Sequence, residues 1–418
     1  MRTFYKFKLE MFNSIYIAHF ALRISRNAKY VFLLIKLKFK KREMSKKPIN
    51  PFPIGGYWGK GYFCDREKEL ETLNEHLANE RNVVIYSWRR LGKTMLIKHF
   101  MAEMESKQKA EILYIDLLGS ISMQQAIENI SQAVYAKYGQ TNKGITGAFR
   151  ELLGKIGAEL SFDPYNGMPK LSLGIRDVQQ VAQSLIAIGT FLQERNKLII
   201  VALDEFQQVQ HYKDAKGEAI FRSWMQEFPS IRFLFSGSQR DMMRAMFAEK
   251  NRPFFRSSQL LPLQAIPLDA YLPFIQKHFS NDGKSIDSNC VEVLYKWSRG
   301  QTYCVELICN KLFARHNNAK IADLEEVYTE ILNQESAVFV TYMQLLSATQ
   351  WKVLKAIAKQ EPLEKPTSKE FLILHRLGAA SSVNTALKML EKAEMVIREL
   401  EGVLVQDVLL ARWVQRLI

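Results

Sequence analysis

Val83-Val84-Ile85-Tyr86-Ser87-Trp88-Arg89-Arg90-Leu91-Gly92-Lys93-Thr94 is the stretch of this 418-residue chain that decides its fold. It is a β-branched and aromatic run, a short turn, and a Gly-Lys-Thr that opens Met95-Leu96-Ile97-Lys98-His99-Phe100 at helical spacing. Strand, tight turn and helix in that order satisfy G-x-x-x-x-G-K-[ST] from Gly92 onward, with Ser87 standing at the first position.

The chemistry of the pattern rests on its last three residues. Backbone N–H groups of such a loop and of the following helix N-terminus converge on phosphate oxygens, and the helix dipole favours negative charge there. Gly92 lets the backbone come close, Lys93 places a cation between β- and γ-phosphates, and the Thr94 hydroxyl is a ligand for Mg²⁺. The first glycine mainly eases entry into the turn, so Ser87 is compatible with the loop if its φ stays negative. Ser87, Trp88, Arg89, Arg90, Leu91, Gly92, Lys93 and Thr94 are therefore the expected nucleotide-binding residues. A chance Gly-Lys-Thr at a helix start is the competing reading, and the strand before it and the amphipathic helix after it weigh against that.

About 110 residues on, Lys197-Leu198-Ile199-Ile200-Val201-Ala202-Leu203-Asp204-Glu205-Phe206 is an apolar run ending in two carboxylates. Such a run suits a central parallel strand buried on both faces, and ligands of open α/β sheets bind outside the carboxyl ends of strands. Asp204 is expected to meet the Mg²⁺ held by Thr94, and Glu205 to polarise the attacking water. Alone, Asp-Glu after a strand is more often a solvated loop start; with the loop at Lys93 it completes a Walker A and Walker B pair. Ile231-Arg232-Phe233-Leu234-Phe235-Ser236-Gly237-Ser238 reads as a third strand whose Ser236 or Ser238 could sense the γ-phosphate, or as a plain Gly-Ser turn. With Glu111-Ile112-Leu113-Tyr114-Ile115-Asp116-Leu117 as a fourth, strands alternating with helices predict a doubly wound α/β sheet.

These motifs resemble a known family. Tyr62-Phe63-Cys64-Asp65-Arg66-Glu67-Lys68-Glu69-Leu70 is similar to the F-x-x-R-E-x-E-L box of the archaeal-type ATPases, in the STAND branch of P-loop NTPases and related to origin-recognition AAA+ proteins. The likeness continues through Ser87 to Thr94, Leu203-Asp204-Glu205, Phe235-Ser236-Gly237-Ser238 and Pro253-Phe254-Phe255-Arg256, covering roughly residues 50 to 418. It implies binding of ATP with Mg²⁺, Arg66 near the base, Ser238 at the nucleotide, and Arg256 as a catalytic finger in cis or toward a neighbour in an oligomer. It also implies an α-helical lid and a winged helix after an AAA+/STAND-like parallel sheet. The chain departs from the pattern at Ser298-Arg299-Gly300-Gln301-Thr302-Tyr303, where Thr302 takes the place of a lid proline and Arg299 is the alternative approach to the phosphates.

The downstream residues support that layout independently. Cys290-Val291-Glu292-Val293-Leu294-Tyr295-Lys296-Trp297 and Val305-Glu306-Leu307-Ile308-Cys309-Asn310-Lys311-Leu312-Phe313 have helical periodicity, with Asn281-Asp282-Gly283 as a turn, and no strand pattern competes there. From Ala348 three helices precede Met395-Val396-Ile397-Arg398-Glu399-Leu400 and Val403-Leu404-Val405-Gln406 around Glu401-Gly402, the order of a winged helix. Residues 346–418 carry 11 Lys or Arg and 8 Asp or Glu, too even a balance to predict a basic face. The candidate recognition helix offers Ser381, Ser382, Asn384, Thr385, Lys388 and Lys392 to DNA, but also Glu391 and Glu394, so DNA and a protein partner both stand.

The net charge of +15 is concentrated at the start, where residues 1–43 hold 11 Lys or Arg against Glu10 and Glu43. The apolar clusters there fall far short of the roughly 20 residues that span a bilayer, so no transmembrane segment is expected. Translation is expected to begin at Met44, the alternative being a basic amphipathic stretch that lies on an anionic membrane surface. Cys64, Cys290, Cys304 and Cys309 lack C-x-x-C spacing and read as reduced thiols of a cytoplasmic protein. Alternation on either side of Tyr165-Asn166-Gly167 predicts a hairpin inserted in the sheet domain. The expected partition is a basic extension over 1–43, a P-loop ATPase domain over 44–265, a lid over 266–345 and a winged helix over 346–418. The function this supports is an ATP-dependent molecular switch with slow hydrolysis. A winged-helix DNA-binding protein with regulatory nucleotide, and a pseudo-ATPase scaffold, remain the alternatives.

Overall fold

Five parallel strands carry the candidate site, and their alternating side chains build two separate cores. In the computed structural model the described residues are 48–417, except 142–143, 163–168, 175–177 and 214–215. The chain divides into two units, 1–51 and 52–418, and every element below belongs to the second. The basic extension, the proposed start at Met44 and the Tyr165-Asn166-Gly167 turn lie outside the described residues.

In chain order, helix α1 (Glu67–Ala78) leads to β1 (Val83–Tyr86), the loop, and α2 (Lys93–Ser106). β2 (Glu111–Asp116), α3 (Met123–Val134) and α4 (Gly147–Ile156) follow, and Ser122 and Thr146 cap the two helices through their hydroxyls. β3 (Ala158–Phe162) then pairs antiparallel with β4 (Pro169–Leu173), giving the inserted hairpin. α5 (Val178–Gln193), β5 (Ile199–Asp204), α6 (Gly217–Glu227), β6 (Ile231–Gly237), α7 (Arg240–Ala248) and β7 (Gln259–Pro262) complete the sheet domain.

The strand order is β2-β5-β6-β1-β7, with parallel pairing throughout. β5 and β6 are buried at every position, as central strands covered on both faces must be. Because successive side chains point to opposite faces, Val84, Leu113, Val201, Leu203, Phe233 and Phe235 enter one core. Val83, Ile85, Ile112, Ile200, Ala202 and Leu234 enter the other, with α1 and α2.

A third core unites everything downstream. It runs from α8 (Leu268–Ser280), α9 (Ser288–Trp297), α10 (Thr302–Arg315) and α11 (Ile321–Leu345) into α12 (Ala348–Gln360), α13 (Lys369–Leu374), α14 (Ala380–Lys392), the hairpin β8 (Val396–Glu399) and β9 (Gly402–Val405), and α15 (Val408–Arg416). Trp297 stacks on Tyr328 at 4.0 Å, Phe339 lies 5.6 Å from Trp413, and Arg412 Nε donates to the Trp297 carbonyl at 3.0 Å. Helical lid and winged helix are thus continuous in packing. One feature departs from the all-helical expectation for the lid: Ser285–Ile286 pairs in parallel with Asn318–Ala319, a two-residue ladder too short to leave a period in the sequence. No helix among the described residues is long and apolar enough to cross a membrane.

Candidate active site

Lys93 begins α2 directly after Gly92, whose φ of 91° only glycine adopts without strain. The lysine is 6 % exposed. Its Nζ donates to the Ser87 carbonyl and Ser87 Oγ, both at 3.1 Å, and to the Trp88 carbonyl at 3.0 Å. Ser87 thus supplies a side-chain acceptor that the usual glycine lacks. Burial pulls the Lys93 ammonium down to about 8, against the opposing pull of Glu205 and Asp204. The buried amine therefore gives up its proton more readily than a free lysine.

The register of the sheet brings Asp204 to the end of β5 beside that lysine. Asp204 is 2 % exposed, and each oxygen is held. Oδ2 accepts from Thr94 Oγ1 at 2.8 Å and Tyr114 OH at 2.7 Å, while Oδ1 accepts from Ser236 Oγ and from the Glu205 N–H at 3.0 Å. Glu205 takes a left-handed φ of 53°, which sets its side chain apart from that of Asp204. Its Oε2 accepts from Ser238 Oγ at 2.8 Å and from Gln207 Nε2. The two serines of β6 and its exit therefore divide the work: Ser236 holds Asp204 and Ser238 holds Glu205.

Two hard oxygen donors 2.8 Å apart, Thr94 Oγ1 and Asp204 Oδ2, suit a Mg²⁺ that keeps several waters and takes its other ligands from phosphate. The donor set fits the ion the sequence implies. No cluster of three or more His, Cys, Asp or Glu side chains arranged for a metal occurs among the described residues.

Other expected residues lie elsewhere. Arg66 is buried, with φ 78°, and donates to Glu69 Oε1 at 2.7 Å, the Leu91 carbonyl at 3.3 Å and the Gln264 carbonyl at 2.6 Å. It ties the box before α1 to the P-loop and to the exit of β7. Arg256 is exposed and lies 5.2 Å from the Phe255 ring centre; no contact of its side chain among the described residues reaches Lys93, Asp204 or Glu205. Thr302 approaches Gly92, its Cγ2 3.8 Å from where a Cβ there would stand. Arg299, the alternative approach to the phosphates, is committed instead to the winged helix: it donates to the Val405 carbonyl at 2.6 Å and pairs with Glu361 at 3.5 Å.

The variable residues of the P-loop are also engaged by that domain. Trp88 Nε1 donates to Glu399 in the wing, and Arg240 lies 4.5 Å above the Trp88 ring while pairing with Glu399 at 2.9 Å. Arg89 meets Glu394 at 3.3 Å, and Arg90 meets Asp407 at 3.0 Å. Arg90 also lies 4.8 Å from the Tyr303 ring centre, and its carbonyl accepts from the Tyr303 N–H at 3.2 Å. Tyr114, Gln207, Arg240, Glu399 and Asp407 were not expected at the site. Strand alternation places Tyr114 on the face of Asp116, but only the β2–β5 register, pairing Asp116 with Asp204, turns that face toward Thr94.

Residues 63–245 match the family described as an ATPase domain predominantly from Archaea, and residues 337–416 match a family described as a probable winged helix domain. Among solved structures the chain is similar to the Walker-type ATPase PABY2304 of Pyrococcus abyssi, at 16% identity over 87% of this chain and 99% of that one, with a TM-score of 0.63. It is also similar to the Aeropyrum pernix ORC2 protein in its ADPNP-ADP complexes, at 15% identity over 90% of this chain and 96% of that one, with a TM-score of 0.53. At such identities the likeness concerns the fold. No curated protein matches the chain. Sequence family, sheet order and the Lys93, Thr94 and Asp204 constellation agree: residues 63–245 form a P-loop ATPase domain of the family found predominantly in Archaea, joined in one chain to a winged-helix domain.

Proposed function

We propose that this protein is a nucleotide-dependent molecular switch in which Mg²⁺-dependent ATP hydrolysis at the P-loop governs the position of the lid and winged helix. The observation that carries this reading is the grip of the winged helix on Trp88, Arg89 and Arg90, which are themselves P-loop residues. Partly exposed ion pairs of this kind contribute about 0.2–1 kcal/mol each. Together they reach the ~1–3 kcal/mol typical of coupling between sites. A contact of that strength holds the domain yet releases it when a ligand reshapes the loop.

In this reading Lys93 exchanges the three oxygens it now contacts for phosphate oxygens. Thr94 and Asp204 hold Mg²⁺, which when bound offsets charge on the β- and γ-phosphates. Glu205, kept in place by Ser238 and Gln207, orients the attacking water and takes its proton. Arg66 supports the base side by fixing the box against Leu91, and Arg256, exposed and without an acidic partner among the described residues, is free to act toward a neighbouring subunit. The buried, unpaired cysteines accord with a cytoplasmic setting. The exposed face of α14 is left for DNA or a protein partner.

The test measures ATP binding and turnover for wild type, Lys93→Ala and Glu205→Gln, with hydrogen exchange over residues 396–405 with and without an ATP analogue. Turnover lost in both variants, and exchange that rises with nucleotide in wild type, supports the switch. Equal turnover in all three removes these residues as the site. Wild-type binding without turnover favours a nucleotide-gated scaffold.

A further inference from the structure

The near balance of charge in residues 346–418 conceals a strong separation. Glu391, Glu394, Glu399, Glu401 and Asp407 fall in one segment, and three of them face the ATPase domain through Arg89, Arg240 and Arg90. The wing, with Glu399 and Glu401 flanking its tip, is therefore an acidic element used within the molecule. That segment also holds Lys392 and Arg398, the latter paired with Glu391 at 3.0 Å, so its net charge is negative, and a separate group of cations lies on α12. Helix α12 carries Lys352, Lys355 and Lys359 and no carboxylate. With Leu374 at the end of α13 and His375 and Arg376 from the turn that follows it, they line a cleft of about 350 Å³.

Nothing acidic neutralises this cleft. Its lining contains no Asp or Glu, and none of Lys352, Lys355, Lys359 and Arg376 has an ion-pair partner among the described residues. Glu361, adjacent in sequence to the end of α12, is only 4 % exposed and turned away onto Arg299 and Arg412. His375 Nε2 is buried without a hydrogen-bond partner. From Lys352 to Lys359 the helix advances roughly 10 Å at ~1.5 Å per residue. One strand of duplex DNA presents a charge about every 3.4 Å of axis, so a row of this length is long enough to meet more than one phosphate.

We propose that the cleft between α12 and the α13–α14 turn holds the phosphodiester backbone of duplex DNA. Backbone contacts fix orientation, and in a helix-turn-helix the first helix crosses the backbone while the second, recognition helix enters the major groove. A phosphate row held by α12 and Arg376 brings the start of α14, with exposed Ser381, Ser382, Asn384 and Thr385, to the neighbouring groove. The anchoring charge comes from α12 and the turn; Lys388 and Lys392, toward the far end of α14, are secondary. This inference does not depend on nucleotide turnover, so a chain that binds DNA here without hydrolysing ATP keeps it and loses the switch.

The test uses the full chain and a fluorescent 20-base-pair duplex, titrated across a salt series. Lys352→Gln/Lys359→Gln is expected to weaken binding at least tenfold and to make the slope of log K against log salt shallower by about 2, at ~0.9 per lost phosphate contact. Lys388→Gln/Lys392→Gln is expected to stay within threefold of wild type, and both variants to keep the wild-type melting temperature. The inference is overturned by any of three results. These are absence of wild-type binding at 50 mM salt, an α12 variant within twofold of wild type, or duplex displaced by phosphatidylserine vesicles at matched phosphate.

Discussion

Arg90 and Asp407 meet at 3.0 Å, joining the phosphate-binding loop to the first residue of the last helix cap. Asp407 serves two ends at once: Oδ2 faces Arg90, while Oδ1 accepts from the Leu409 and Leu410 N–H groups and caps α15. Asn caps a helix about as well as Asp. Asp407→Asn should therefore keep the fold within about 1 kcal/mol of wild type while removing the charge from the loop. The expected result is a twofold to fivefold change in the release rate of a fluorescent ATP analogue with no loss of thermal stability. Asp407→Ala, which also removes the cap, should lower stability by about 1 kcal/mol.

The charge of Lys93 sets a pH window. Its ammonium is lowered to about 8 in the folded protein, from 10.5 in the open chain, by burial. Between those values the unfolded state binds more protons, so this group makes the ligand-free protein more stable as pH rises from 8 toward 10.5. Phosphate binding runs the other way, because it needs the cation. ATP affinity is expected to be level below pH 7 and to fall about tenfold between pH 7 and 9, following the protonated fraction. Calorimetric titration at pH 7, 8 and 9 measures this, and a flat profile would show that the bound phosphates do not draw on this amine.

Gly237 leaves room for the Gln207 and Glu205 arrangement by having no side chain. A Cβ there would overlap Gln207 Oε1 and Met243. Since Gln207 Nε2 shares with Ser238 Oγ the restraint of Glu205, Gly237→Ala displaces one of the two restraints before it displaces the carboxylate. Overpacking of this kind costs about 1–3 kcal/mol. Turnover should fall at least tenfold while ATP affinity stays within threefold, because Lys93, Thr94 and Asp204 do not touch Gln207. A parallel loss of affinity and rate would mean that the strand itself has moved.

The parts of this site legible in the sequence are those written locally. A buried strand, a glycine before Lys-Thr and an apolar run ending at Asp204 each state their conformation within ten residues. What the sequence could not place were pairs made across the chain. Trp88 and Glu399 are 311 residues apart, and nothing in either neighbourhood names the other. Arg299 was a candidate for the phosphates because its motif precedes α10; the packing of lid on winged helix decides instead that it meets Val405 and Glu361. Net charge misled in a similar way. A sum over residues 346–418 averages an acidic wing with a basic α12, two faces that only the fold separates.

Glu306, on α10, gives a last expectation that separates stability from catalysis. Burial pushes its carboxyl up to about 7, and no cation pairs with it among the described residues. Between the unfolded value of 4.5 and the folded value near 7, the native state binds more protons, and stability falls as pH rises through that interval. Above pH 7 the cost is complete. Glu306→Gln keeps the shape and removes the charge, so it should match wild type near pH 4.5 and exceed it by about 3 kcal/mol at pH 8. Urea melts at the two pH values measure the difference. Equal gains at both would assign the effect to packing, whereas a gain confined to high pH would identify an ionised carboxylate held under strain where the lid closes on Gly92.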